Sequence, residues 1–108
     1  MHETIFFSAC DLINLYNSKK LSPVENLKNT FDVIKKLNPK LNAFISISEK
    51  KAMKHAKFSE LRYLNSTARK LEGIPFGVKD VIDVQQEKTM NGSKLFERSK
   101  VKKIIQLL

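Results

Sequence analysis

Apolar residues recur at helical spacing in the first part of the chain. Ala9, Leu12, Ile13 and Tyr16 share one face of a 3.6-residue repeat, and Ser8 with Asp11 forms a capping-box-like start. Lys19 and Lys20 at the far end suit the negative end of the helix dipole. A second helix has a stronger start in Ser22-Pro23-Val24-Glu25: a Ser N-cap, Pro at the first helical position and Glu at the third. Its buried stripe is Val24, Leu27, Phe31 and Ile34, with Lys28, Lys35 and Lys36 toward water, and Asn38-Pro39 predicts its stop. A third helix carries Ala52, Met53, Ala56, Tyr63 and Leu64 on a narrow face rich in small residues. Ser46 and Glu49 are its capping pair, and Asn65-Ser66-Thr67 its end.

Two stretches have the shorter period of a strand. Residues 42–47, Asn-Ala-Phe-Ile-Ser-Ile, lie between Pro39 and the third helix. Further on, Ile74, Phe76 and Val78 fall on one face and Pro75, Gly77 and Lys79 on the other. Pro75 cannot donate to a ladder, so the strand begins near it or lies exposed there. Gly77 leaves space beside the stem of Lys79, and Val78 and Val81 flank it, so a central sheet would desolvate this lysine. The tail from Ser99 to Leu108 sets Val101, Ile104, Ile105, Leu107 and Leu108 among lysines and reads as an amphipathic element cut short.

Composition narrows the class. With 108 residues, 42% of them hydrophobic and 29% charged, the chain is one small soluble domain or a piece of a larger one. No apolar run approaches the roughly 18 residues of a spanning helix. The start, MHETIFFSACDL, lacks the basic n-region of a secretory signal, so a cytoplasmic, membrane-free protein is expected. Without secretion, the glycosylation sequons at Asn65 and Asn91 are chance matches. Cys10 is the single cysteine, which excludes an intrachain disulfide, and it is expected as a buried, inert thiol. His2 and His55 are distant in sequence and are read as solvated residues, so no metal and no cofactor are expected. The net charge of +9 invites a nucleic-acid reading, but only Arg62, Arg69 and Arg98 are arginine. Lysines scattered over solvated helix faces explain most of the excess, which would still let the surface dock on RNA or an acidic partner protein. The Ser-x-x-Lys strings at Ser48–Lys51 and Ser99–Lys102 lack the companion motifs of penicillin-binding enzymes.

Taken alone, Lys79 followed by Asp80 is a strand-end ion pair. The wider string is more telling. LEGIPFGVKDVIDV at residues 71–84, followed by Thr89 and Gly92-Ser93, resembles the segment around the catalytic lysine of the amidase signature family. Upstream, LSPVENLKNTFDVIKKLNPKLNAFISI at residues 21–47 resembles that family's second helix, Asn-Pro turn and following strand. The likeness runs over about residues 8–96.

The resemblance implies an α/β fold in which helices flank a mixed central sheet. Residues 1–108 would be the N-terminal portion of a single amidase signature domain, with 97–108 a divergent or truncated tail. It implies an amidase, a C–N hydrolase with a Ser–cis-Ser–Lys triad, in which Lys79 acts through a bridging serine that relays a proton from the nucleophilic serine. A lysine ammonium is a poor base at neutral pH, and burial, which disfavours the charged form, makes a neutral amine accessible. A carboxylate beside the amine would oppose this, so Asp80 is expected to point elsewhere, into backbone hydrogen bonds.

Two departures stand out. Gln86 occupies a position where the family usually has glycine, which bears on the turn there. None of the serines, Ser93 included, sits in a Gly-Gly-Ser-Ser-Gly type loop, so the chain alone is expected to be inactive. Ser93 matches a part of the pattern that lies beside the site, and the nucleophile is not assigned to it. Within the family, general amidases and the A subunit of the glutamyl-tRNA(Gln) or aspartyl-tRNA(Asn) amidotransferase are the nearest styles, and Val-Lys-Asp-Val-Ile-Asp leans toward the former. The implied partners are a small amide substrate and amidotransferase subunits or tRNA, with no membrane. A truncated, non-catalytic copy and a basic RNA- or partner-binding module are the competing readings. The latter lacks the aromatic stacking pattern such modules use.

Overall fold

The computed structural model describes residues 3–96, so expectations for the tail after residue 96 lie outside the described residues. It divides into two units, residues 1–75 and 76–108. The first holds a 3-10 turn, Glu3–Phe6, and three helices: α1, Ala9–Asn17; α2, Pro23–Leu41; and α3, Glu49–Leu64.

Capping decides where α1 and α3 end. The Ser8 hydroxyl accepts the Asp11 N–H at 3.1 Å and the Asp11 carboxylate accepts the Ser8 N–H at 3.0 Å, the reciprocal box read from the sequence. The hydrogen bond from the Ser8 hydroxyl, and then that from its N–H, hold the Asp11 carboxyl below its ordinary value. At the other end Lys19 adopts a left-handed φ of 58°, while its N–H reaches the Tyr16 carbonyl and that of Lys20 the Leu15 carbonyl. That is a Schellman stop made without glycine. α3 repeats it: Ser66 is left-handed at φ 56°, with Ser66 N–H on Tyr63 and Thr67 N–H on Arg62.

In α2, the Ser22 hydroxyl accepts the Glu25 N–H at 3.1 Å and Pro23 occupies the first turn. The helix runs past Asn38-Pro39 to Leu41. Pro39 sits in the last turn, where losing one N–H breaks a single bond, and left-handed Asn42 closes the helix with its N–H on the Asn38 carbonyl at 2.7 Å. α3 starts later than Ser46 predicts. Its N-cap is Ser48, without a side-chain capping bond.

Two clusters make the core of this unit. Leu27 and Phe31 of α2 pack on Ala56 of α3, with Val24, Ile34, Ala52 and Met53 around them. Leu12, Tyr16, Leu21 and Tyr63 form the other, with Leu15, Ala68 and Ile74 against it. There the Tyr16 and Tyr63 rings meet edge-on at 5.4 Å. Burial pushes the Tyr16 hydroxyl up to about 12, against the hydrogen bond donated by Asn26. Leu64, expected on the packed face of α3, is exposed, and Ser59 takes the buried position instead.

No strand occurs among the described residues, so the sheet expected at 42–47 and 74–78 is not formed here. A strand exists only through its ladder, and neither stretch has a neighbouring strand to complete one among the described residues. Phe44, Ile45 and Ile47 are exposed. The Asn38 side chain substitutes for a partner strand at one residue, accepting the Phe44 N–H at 2.8 Å and donating to its carbonyl at 3.1 Å. In the second unit, the described residues 76–96 form turns and a short 3-10 helix, Lys94–Phe96.

Candidate functional site

Lys79 lies in the second unit with its side chain exposed. Phe76, at 84% exposure, and Val78, Val81 and Ile82 are exposed around it. The desolvated lysine expected of a central strand is therefore absent in this chain. Burial requires a covering layer, and the described residues of this unit supply none.

Asp80 organises the chain that follows. Its Oδ1 accepts the Met90 N–H at 2.8 Å and its Oδ2 accepts the Gly92 N–H at 3.2 Å. Its own carbonyl accepts the Asn91 N–H at 3.1 Å. The carboxylate thus points into backbone hydrogen bonds, as the chemistry of the lysine predicted. Buried Thr89 donates its hydroxyl proton to Asp83 Oδ1 at 2.7 Å, a second closure nested inside the first.

Tight turns fill the interval. The Ile82 N–H donates to the Lys79 carbonyl at 3.0 Å and the Glu87 N–H to the Val84 carbonyl at 3.0 Å. Gln86 takes a left-handed φ of 66°, so a side chain occupies a conformation that glycine adopts without steric cost. Asn91 and Gly92 are also left-handed, at φ 50° and 72°. Ser93 is a turn residue: its N–H donates to the Met90 carbonyl and its hydroxyl accepts the Leu95 N–H at 3.3 Å.

Sequence reasoning missed the most densely bonded carboxylate among the described residues. Glu72, 4% exposed, ends the loop that follows α3. It accepts the Ser59 hydroxyl at 2.6 Å, Arg62 Nη1 at 3.0 Å and Arg69 Nε at 2.7 Å. The Tyr63 hydroxyl donates to the Glu72 carbonyl at 2.9 Å, and that of Tyr16 to the Gly73 carbonyl at 3.3 Å. The Arg69 hydrogen bond outweighs the cost of burial and, with Ser59 and Arg62, holds the Glu72 carboxyl down to about 2. Next to it, Gly73 has φ 74°, and a Cβ there would stand 2.8 Å from Pro23 Cγ. The available signal was that two of the few arginines fall at 62 and 69, the second three residues before Glu72.

Other expected features resolve quickly. Cys10 is exposed, contrary to the buried thiol read from its helical neighbours, because the buried face of α1 is the one carrying Leu12 and Tyr16. His55 is exposed as expected, and His2 lies outside the described residues. Among the described residues no group of His, Cys, Asp and Glu could hold a metal ion, and no helix is long and apolar enough to cross a membrane. The first unit has a cleft of about 320 Å³ lined by residues including Thr4, Phe7, Leu12, Asn26 and Ile74. Asn26, 2% exposed, donates to the Tyr16 hydroxyl there, and its Oδ1 has no hydrogen-bond partner among the described residues.

Lys79 and Asp80 lie within the stretch that is similar to known proteins. The model of the Amidase family matches residues 25–103. The A subunit of the glutamyl-tRNA(Gln) amidotransferase of Coxiella burnetii is 40% identical over 79 residues, covering 73% of this chain and 16% of that protein. Its counterpart from Staphylococcus saprophyticus is 32% identical over 88 residues, 81% of this chain and 18% of its own length. The mitochondrial counterpart from Dictyostelium discoideum is 41% identical over 80 residues, 72% of this chain and 14% of its own. The chain therefore spans less than a fifth of the length of these relatives.

Proposed function

Because the chain belongs to the amidase family, we propose that Lys79 is the lysine of an amide-hydrolysing Ser–cis-Ser–Lys triad. What carries this reading is the place of Lys79 inside the matched residues 25–103, in the segment Gly73-Ile74-Pro75 to Lys79-Asp80. The exposed Phe76, Val78, Val81 and Ile82 support it, since a lysine among apolar side chains is ready to be covered. In the covering fold, α/β with a mixed central sheet, residues 42–47 and 74–78 would gain ladder partners, and these 108 residues would form the N-terminal portion of the domain. Covering strips water from the amine and favours its neutral form, which then takes the serine proton.

The names of the relatives move the preferred style from general amidase to amidotransferase A subunit, although the wording around Lys79 leans the other way. On that reading the substrate is a small amide whose nitrogen is released for transfer. The partners are the other amidotransferase subunits and tRNA, and the setting is the cytoplasm. A net charge of +9 suits a complex that handles a polyanion. The present sequence holds no Gly/Ser-rich serine loop, so the chain on its own should not turn over amides.

A chimera tests the reading. Residues 25–103 of this chain replace the matching stretch of the Coxiella burnetii protein, which supplies the rest of the domain. Amide hydrolysis should survive the exchange and fall by at least ~1,000-fold in Lys79→Ala, the scale on which catalytic groups of a triad act. A chimera whose activity is indifferent to Lys79 would refute the assignment.

A further inference from the structure

The hydrogen bonds of Asp80 do more than close a turn. One residue on from Lys79, a single aspartate takes the N–H of Met90 on Oδ1 and that of Gly92 on Oδ2, while its carbonyl takes the N–H between them. Three consecutive backbone donors, Met90, Asn91 and Gly92, are thereby gathered onto one residue from 10 to 12 positions away. Bonds of a backbone N–H to a carboxylate are among the stronger hydrogen bonds, and three in register define position more tightly than one. The donors converge because Asn91 and Gly92 are both left-handed, a curled backbone that turns successive N–H groups to the same side.

We propose that Asp80 is a positioning residue for Lys79. This rests on the reading of Lys79 given above. By clasping residues 90–92, Asp80 closes the intervening chain into a loop and fixes the backbone from which the lysine stem projects. The same bonds direct both carboxylate oxygens toward the backbone N–H groups of residues 90 and 92. A free carboxylate at that place would hold the ammonium charged and oppose its use as a base. The Asp83–Thr89 bond inside the loop stiffens it without touching the clasp.

Asp80→Asn retains one acceptor oxygen, Asp80→Ala retains none, and Asp80→Glu retains both on a longer stem. Measured on the 108-residue chain by amide hydrogen exchange, the N–H groups of Met90 and Gly92 should exchange about 10-fold faster in Asp80→Ala, the scale of one charge-assisted hydrogen bond. Unchanged exchange there overturns the clasp whatever the catalytic reading. In the chimera, kcat should fall roughly 10- to 100-fold in Asp80→Ala with KM unchanged, as expected for misplacement of a reacting group. Asp80→Asn should fall between Asp80→Ala and the parent, and Asp80→Glu should recover part of the loss. Loss of activity in Lys79→Ala with full kcat in Asp80→Ala would refute positioning and leave the lysine in place. Activity indifferent to Lys79 would refute the reading on which positioning rests. A loss in Asp80→Ala that tracks only the amount of folded protein, with kcat per folded molecule intact, would reduce Asp80 to a structural role and also overturn the proposal.

Discussion

The two units of this chain solve the same problem differently. Residues 3–75 close a core of their own, in which leucines and two tyrosines pack and a buried glutamate ties the end of α3 to the loop that follows it. Residues 76–96 are held by backbone turns and by the carboxylates of Asp80 and Asp83, and leave Phe76, Val78, Val81 and Ile82 in water. Polar closure fixes the path of a loop, but only apolar burial gives it independent stability. The first unit buries an apolar core of its own, and the described residues of the second leave their apolar side chains uncovered. That division sets what each substitution should do.

The largest effect belongs to Glu72. Glu72→Ala removes the acceptor of Ser59, Arg62 and Arg69 and should cost the helical unit on the order of 2–3 kcal/mol, read as a lower midpoint in urea. The cost stays below that of a fully buried pair because Arg62 and Arg69 remain partly in water and resolvate. Acid should act through the same carboxylate. Its folded value is depressed to about 2, so its contribution is full above the unfolded value and is lost as pH falls from about 4.5 toward 2. Glu72→Gln should flatten the acid limb of the stability curve, and an unchanged limb would contradict the assignment.

Gly73→Ala comes next. The left-handed φ and the 2.8 Å approach to Pro23 Cγ both oppose a Cβ, and a loss of roughly 2 kcal/mol is expected. The smallest effects sharpen the comparison most. Lys19→Gly and Gln86→Gly each place glycine at a left-handed φ, and each should relieve about 0.5–1 kcal/mol locally. Only the first should raise the melting temperature, because only the first lies in the unit whose core melts. Gln86→Gly should instead slow exchange of the Glu87 amide. Equal shifts in melting temperature would show that the units unfold as one.

Most of the helical unit was legible in the sequence because its signals are local. Ser8–Asp11 and Ser22–Pro23 mark helix starts by chemistry confined to one turn, and Leu12, Tyr16, Leu27 and Phe31 follow the helical period. What escaped depends on residues brought together by folding. Glu72 meets Ser59 and Arg62 only once the chain doubles back, and the arginines at 62 and 69 were the one hint of it in the sequence. The ends of α1 and α3 were legible at Lys19-Lys20 and Asn65-Ser66-Thr67, but the left-handed backbone of Lys19 and Ser66 that makes the stops was not. At the candidate site, the carboxylate direction of Asp80 was legible from lysine chemistry, and the closure onto Met90 and Gly92 was not. The strands at 42–47 and 74–78 failed for a different reason: their pattern is right for a sheet, but a ladder is a property of two segments.

The claim that the second unit awaits a cover is tested most directly by the reactivity of the lysine itself. An amine-acylating reagent, with each lysine followed by mass spectrometry, should modify Lys79 of the 108-residue chain about as fast as Lys28 or Lys36 on the solvent side of α2. In the chimera with the Coxiella burnetii protein, Lys79 should become at least ~10-fold slower while Lys28 and Lys36 keep their rates, as burial of one amine requires. Equal reactivity of Lys79 in both settings would mean that nothing covers it, and the account of this segment as an unfinished amidase site would fail.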